Sequence, residues 1–106
     1  MPRATHNALV VASARVALLT LTLSIPGADS LKAKRARLRP LLEGLRNRFP
    51  VSAAEVGRLN THDRAVIAAV VVSADARLAE SVLGKAADFA EGFDVVIEEI
   101  ETEVVR

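Results

Sequence analysis

The densest chemistry in this chain is cationic. Between residues 32 and 48 stand Lys32, Lys34, Arg35, Arg37, Arg39, Arg46 and Arg48, opposed only by Glu43, for a local net charge of +6. Ammonium and guanidinium groups pair with phosphate oxygens, arginine in bidentate geometry. At helical spacing Lys32, Arg35, Arg39 and Arg46 flank one side of an apolar stripe, while Lys34, Arg37 and Arg48 border the other. The candidate nucleic-acid-binding residues are Lys32, Lys34, Arg35, Arg39, Arg46 and Arg48. If about four of them engage single-stranded RNA phosphates, log affinity falls with log salt at that count times 0.7. The competing reading is a solvated helix face that pairs with the acidic part of the same molecule. From Asp75 to Glu103, nine carboxylates face only Arg77 and Lys85, a net of −7, and the whole chain carries only +1. That total predicts no general attraction to nucleic acid or membrane, so any binding must come from the local ridge.

Other chemistry is sparse. The chain has no cysteine, which removes thiol nucleophiles, disulfides and cysteine-held metal sites and fits a reducing compartment. His6 and His62 are the only histidines, and neither has neighbours at metal-ligand spacing. Ser73 and Asp75 pair a hydroxyl with a carboxylate but lack a positioned histidine, and a helix cap accounts for them. Glu98, Glu99, Glu101 and Glu103 alternate along a terminal strand, where they solubilise an edge and discourage unwanted pairing. Gly27 marks a turn; the Gly-rich spacing and Lys of a phosphate loop are absent. No catalytic, metal or cofactor constellation is expected, and the protein reads as a non-enzyme.

The elements that must carry the cationic ridge follow from periodicity. Val16 to Ile25 alternates as a strand, with Ala17, Leu19, Leu21, Leu23 and Ile25 on one side. The outline from Arg3 through the apolar run to Pro26–Ser30 is similar to a secretory leader. Arg15 interrupts it, however, and the run is too short to span a bilayer. Residues 1–14 are read as an N-terminal extension and residues 15–106 as a single domain. After the Pro26–Gly27 turn, Asp29 or Ser30 caps a helix whose stripe is Leu31, Leu38, Leu41, Leu42, Leu45 and Phe49. Pro40 predicts a kink or break, at a cost of roughly 3 kcal/mol relative to Ala.

Pro50 ends that helix. Val51 to Leu59 and Arg64 to Ser73 read as strands around the Asn60–Asp63 turn, the second apolar on both faces. Asp75 caps a second helix in which Leu78, Val82, Ala86, Phe89 and Phe93 repeat, and Asp94 to Val105 forms a last, Glu-rich strand. The order β-α-β-β-α-β with a short middle connection predicts an α+β fold. It is a ferredoxin-like split β-α-β sandwich, an antiparallel four-stranded sheet with two helices on one face. An RNA-recognition motif shares this order but stacks bases on sheet aromatics, and here Phe49, Phe89 and Phe93 fall on helix core positions. No Gly-x-x-Gly clamp is present. The two helices cannot cover both faces of the central strands, so the second, apolar face predicts a homodimer, with Leu9–Val11 folding back as the local alternative.

Ser30-Leu31-Lys32-Ala33-Lys34-Arg35 after Pro26-Gly27-Ala28, then Leu45-Arg46-Asn47-Arg48-Phe49, Val51-Ser52-Ala53-Ala54-Glu55-Val56 and Arg64-Ala65 leading to Val71-Val72-Ser73, resemble the bacterial YlxP-like family of domains of unknown function. The resemblance spans roughly residues 16 to 100 and maps its basic signature to Lys32, Lys34 and Arg35. His62 departs from a frequent Trp, Pro40 interrupts the usual helix, and the first 14 residues have no counterpart. The resemblance implies a small cytoplasmic ferredoxin-like protein, often encoded beside factors for transcription elongation, translation initiation and small-subunit ribosome maturation. It supplies no catalytic motif. Two expectations result: an accessory protein that meets ribosomal RNA or a ribosomal particle through the basic helix, or a homodimeric interaction module that uses the apolar sheet face and has no nucleic-acid role. No membrane partner is expected.

Overall fold

A computed structural model describes residues 14–106. The expected extension therefore lies, but for Ala14, outside the described residues. Six elements follow in the order β1 (Arg15–Ser24), α1 (Leu31–Arg48), β2 (Ser52–Gly57), β3 (Arg64–Ser73), α2 (Ala76–Ala90) and β4 (Val96–Val104). The strands form one antiparallel sheet in the order β2-β3-β1-β4. This is the ferredoxin-like arrangement that the alternation of periods predicts.

The alternation of β1 decides which face is covered. Ala17, Leu19, Leu21 and Leu23 are buried beneath the helices, joined by Ala65, Ile67, Ala69 and Val71 of β3. Ten residue pairs hold β1 to β3, from Arg15 opposite Ser73 to Ser24 opposite Arg64. Because side chains alternate, this register puts Val16, Leu18, Thr20 and Thr22 with Val66, Ala68, Val70 and Val72 on the opposite face, free of helices among the described residues. Glu99, Glu101 and Glu103 of β4 lie beside Thr22, Thr20 and Leu18 on that same face. The β1–β4 register shifts between Thr22 and Leu23, so Glu98 is the extra residue of a bulge.

Local chemistry sets the helix boundaries. Gly27 adopts φ +83°, the left-handed conformation that suits glycine in the turn before α1. Ser30, rather than Asp29, is the cap: its Oγ accepts from the Ala33 amide at 3.0 Å. Asp75 Oδ1 accepts from the Arg77 amide at 2.9 Å at the start of α2.

Pro40 does not break α1, which runs as one helix from Leu31 to Arg48. Pro40 is exposed, where water reaches the carbonyl that its missing N–H leaves unpaired, while Leu38, Leu41 and Leu45 are buried on the other side. Burying each such Leu contributes about 2 kcal/mol, enough together to hold the proline in helical geometry.

The stripe of α2 is offset from the expected one. Its buried residues are Ala79, Leu83, Ala86, Ala87 and Ala90, with Val82 and Phe89 half-buried, whereas Leu78 is exposed. The buried face of α2 is therefore centred on its alanines and Leu83, and Leu78 lies outside it. The two helices meet where Gly44 faces Phe89: a Cβ on Gly44 would sit 2.9 Å from Phe89 Cζ. Phe89 also packs edge-on against Phe49 and Phe93, with centroids 5.5 and 5.1 Å away, so the three aromatics belong to the interhelical core as expected.

Candidate nucleic-acid interface

The cations of α1 separate into groups with different surroundings. Lys34 is 1% exposed and does not reach the surface where phosphate binding was expected of it. Its Nζ donates to the carbonyls of Arg58 at 2.9 Å and Arg64 at 3.1 Å. It also lies 2.6 Å from Glu55 Oε2, a contact ion pair without aligned hydrogen-bond geometry, and that oxygen has no other partner among the described residues. Lys34 precedes Leu38, Leu41 and Leu45 in one heptad-like register, so α1 must bury it; Glu55 of β2, Arg58 of the β2–β3 connection and Arg64 at the start of β3 supply the oxygens that make this tolerable. Arg58 holds φ 59° at the start of that connection, and its carbonyl is one of the two that Lys34 grips. The spacing of Lys34 from the leucines was a usable signal. Its partner Glu55, on another element, was not visible in any local pattern.

Arg37 is also engaged. Its Nη1 donates to the Pro26 carbonyl, and its Nε and Nη2 donate to the Asp94 carbonyl at 3.2 and 2.7 Å. The Asp94 carboxylate adds an ion pair at 3.2 Å. This arginine ties the turn before α1 to the connection before β4. Arg48 turns toward α2, with its guanidinium carbon 5.3 Å from the centroid of Phe89.

The remaining cations gather on the β2 side of α1. Arg35, Arg39 and Arg46 line a groove of about 210 Å³ with Leu38, Leu42 and Glu55. Lys32 stands one turn before Arg35 on the same side of the helix. Arg46 Nε and Nη2 donate to the Ala53 carbonyl at 3.0 and 2.7 Å, which fastens α1 to the edge strand β2 and leaves Nη1 without a partner among the described residues. Lys32, Arg35 and Arg39 are exposed and form no ion pair with a carboxylate among the described residues. Glu55, already paired with Lys34, adds little negative charge to the groove. The result is a ridge of exposed cations above an apolar floor, suited to phosphate oxygens whose attached groups rest on Leu38 and Leu42.

Other candidates resolve into structural roles. The Ser73 hydroxyl accepts from the Asp75 amide at 3.0 Å, consistent with a cap at the strand-to-helix junction. His62 Nδ1 contacts the Ala28 carbonyl at 2.7 Å and links the β2–β3 connection to the turn before α1. No group of three or more His, Cys, Asp or Glu residues at metal-binding spacing occurs among the described residues. No described helix is long and apolar enough to cross a membrane.

Sheet order, helix placement and this cationic ridge define a small α+β domain of ferredoxin-like arrangement. Residues 16–104 match a family described as "Protein of unknown function (DUF503)", and the chain belongs to that family. The description names no catalytic activity. No curated protein matches the chain.

Proposed function

We propose that this protein is a non-enzymatic cytoplasmic accessory protein that meets ribosomal RNA, free or in a ribosomal particle, through the groove between α1 and β2. Lys32, Arg35, Arg39 and the Nη1 of Arg46 contact phosphates, while Arg46 also holds the groove wall through Ala53. One observation carries this reading: in a chain of net charge +1, Lys32, Arg35 and Arg39 stand together without a carboxylate partner among the described residues. The acidic part of the chain reaches the cations of α1 only through Asp94 to Arg37 among those residues. The ribosomal setting comes from the resemblance to the YlxP-like family, whose members are often encoded beside translation and ribosome-maturation factors. Co-sedimentation with ribosomal particles at low and high salt tests the proposal, with Lys32→Glu, Arg35→Glu and Arg39→Glu combined. The triple variant should stay in the supernatant at both salt levels; pelleting equal to that of the unchanged protein refutes the reading.

A second reading is favoured by the helix-free face of the sheet. Val72 is 65% exposed there, beside the half-buried Val16, Leu18, Val66 and Val70. Pairing of two such faces makes the protein a homodimeric interaction module. Sedimentation equilibrium tests it: a monomer mass at every concentration rules it out.

A further inference from the structure

We infer that the outer edge of β4 is a docking strand for an extended, basic segment of another polypeptide, which adds a fifth strand to the sheet. Among the described residues the order β2-β3-β1-β4 leaves one side of β4 unpaired, and every residue from Glu98 to Val104 is exposed. Such an edge offers backbone donors and acceptors in register for an incoming strand. The two faces of β4 specify what that strand carries. On the helix side, Ile100 and Val104 flank Thr102 and are large exposed apolar residues. Leu78, also more than half exposed, sits in the first turn of α2. That turn follows the end of β3 opposite Arg15, at the same end of the sheet as Val104. On the helix-free side Glu99, Glu101 and Glu103 form a row, and the hollow beside it is lined by Leu18 and Thr20.

These features select one occupant. In an antiparallel ladder, directly opposed residues share a face, so a partner strand places alternate residues against the three glutamates and the others against Ile100, Thr102 and Val104. Lysine or arginine at the first set satisfies the carboxylates, with the aliphatic stems resting against those of the glutamates. Apolar residues at the second set cover the isoleucine and valine. A second copy of β4 fails the same test, because a two-fold pairing that keeps the faces matched sets glutamate against glutamate. The Glu98 bulge, whose carboxylate is held by Arg64 at 3.1 Å, ends the straight run and limits the docking segment to residues 99–104. This surface lies across the sheet from the α1–β2 groove and does not depend on RNA binding.

The test uses the full chain and a fluorescein-labelled peptide of alternating lysine and valine, read by fluorescence anisotropy. Two control peptides share its composition: one with lysines and valines in separate blocks, and one alternating but N-methylated along one backbone edge. The alternating peptide should bind at least tenfold more tightly than either control, and Glu101→Lys, on an exposed side chain, should weaken it at least tenfold with an unchanged circular dichroism spectrum. Equal binding of the block peptide means general charge attraction only and overturns the inference, as does equal binding of the N-methylated peptide. Absence of binding overturns it, and so does slow exchange, in the peptide-free protein, of the alternate β4 amides that point away from β1, which would show the outer edge already occupied.

Discussion

Replacing Lys32, Arg35 and Arg39 together by glutamine removes the three α1 cations that are exposed and have no carboxylate, hydrogen-bond or aromatic partner among the described residues. Of the others, Lys34 is buried and Arg37 is held by Pro26 and Asp94, whereas Arg48 lies over Phe89 on the α2 side, outside the groove. Arg46 keeps Nη1 available. Four phosphate contacts on single-stranded RNA give a slope of log affinity against log salt of about −2.8, and one remaining contact gives about −0.7. Raising the salt fourfold then weakens the unchanged protein about 50-fold and the triple variant about 2.5-fold. Fluorescence anisotropy with a labelled single-stranded oligonucleotide over a salt series measures both slopes, and thermal melts check the fold. The fold should hold, since none of the three side chains makes a hydrogen bond among the described residues. The same slope for both proteins would refute the assignment of the ridge. A slope near zero for the unchanged protein would refute phosphate binding altogether.

Four further outcomes follow from the packing. Lys34→Met leaves Glu55 partly buried without its cation and should cost about 3 kcal/mol in urea denaturation, whereas adding Glu55→Leu should restore more than half of that. Gly44→Ala drives a methyl to within 3.0 Å of the Phe89 ring and should destabilise by about 1 kcal/mol despite alanine's better helix propensity. Gly84→Ala meets nothing within 4 Å among the described residues and should stabilise by about 0.8 kcal/mol; loss of stability there would contradict the helix packing. Pro40→Ala, on the exposed side of α1, should raise stability by about 3 kcal/mol, read from the urea midpoint.

Much of the fold is legible along the chain because its cause is local. Strict alternation from Ala17 to Leu23 names the buried face of β1 without reference to any other element, and Ser30 and Asp75 mark helix starts through amides only two or three residues away. The flank of α1 carrying Arg35, Arg39 and Arg46 follows from helical angles alone, and those residues do line one groove. What tertiary structure decided is which cations remain at the surface. Lys34 and Arg35 are adjacent in sequence and alike in charge, yet one is buried against Glu55 and the carbonyls of Arg58 and Arg64 while the other faces solvent. The same holds for Leu78, exposed because α2 turns Ala79, Leu83, Ala86, Ala87 and Ala90 to the core instead, and for Pro40, kept helical by leucines on the far side. Periodicity is a property of one element and can be read from its residues. Burial of a charge depends on oxygen atoms delivered by other elements 21 to 30 residues away, and only the folded chain brings them within reach.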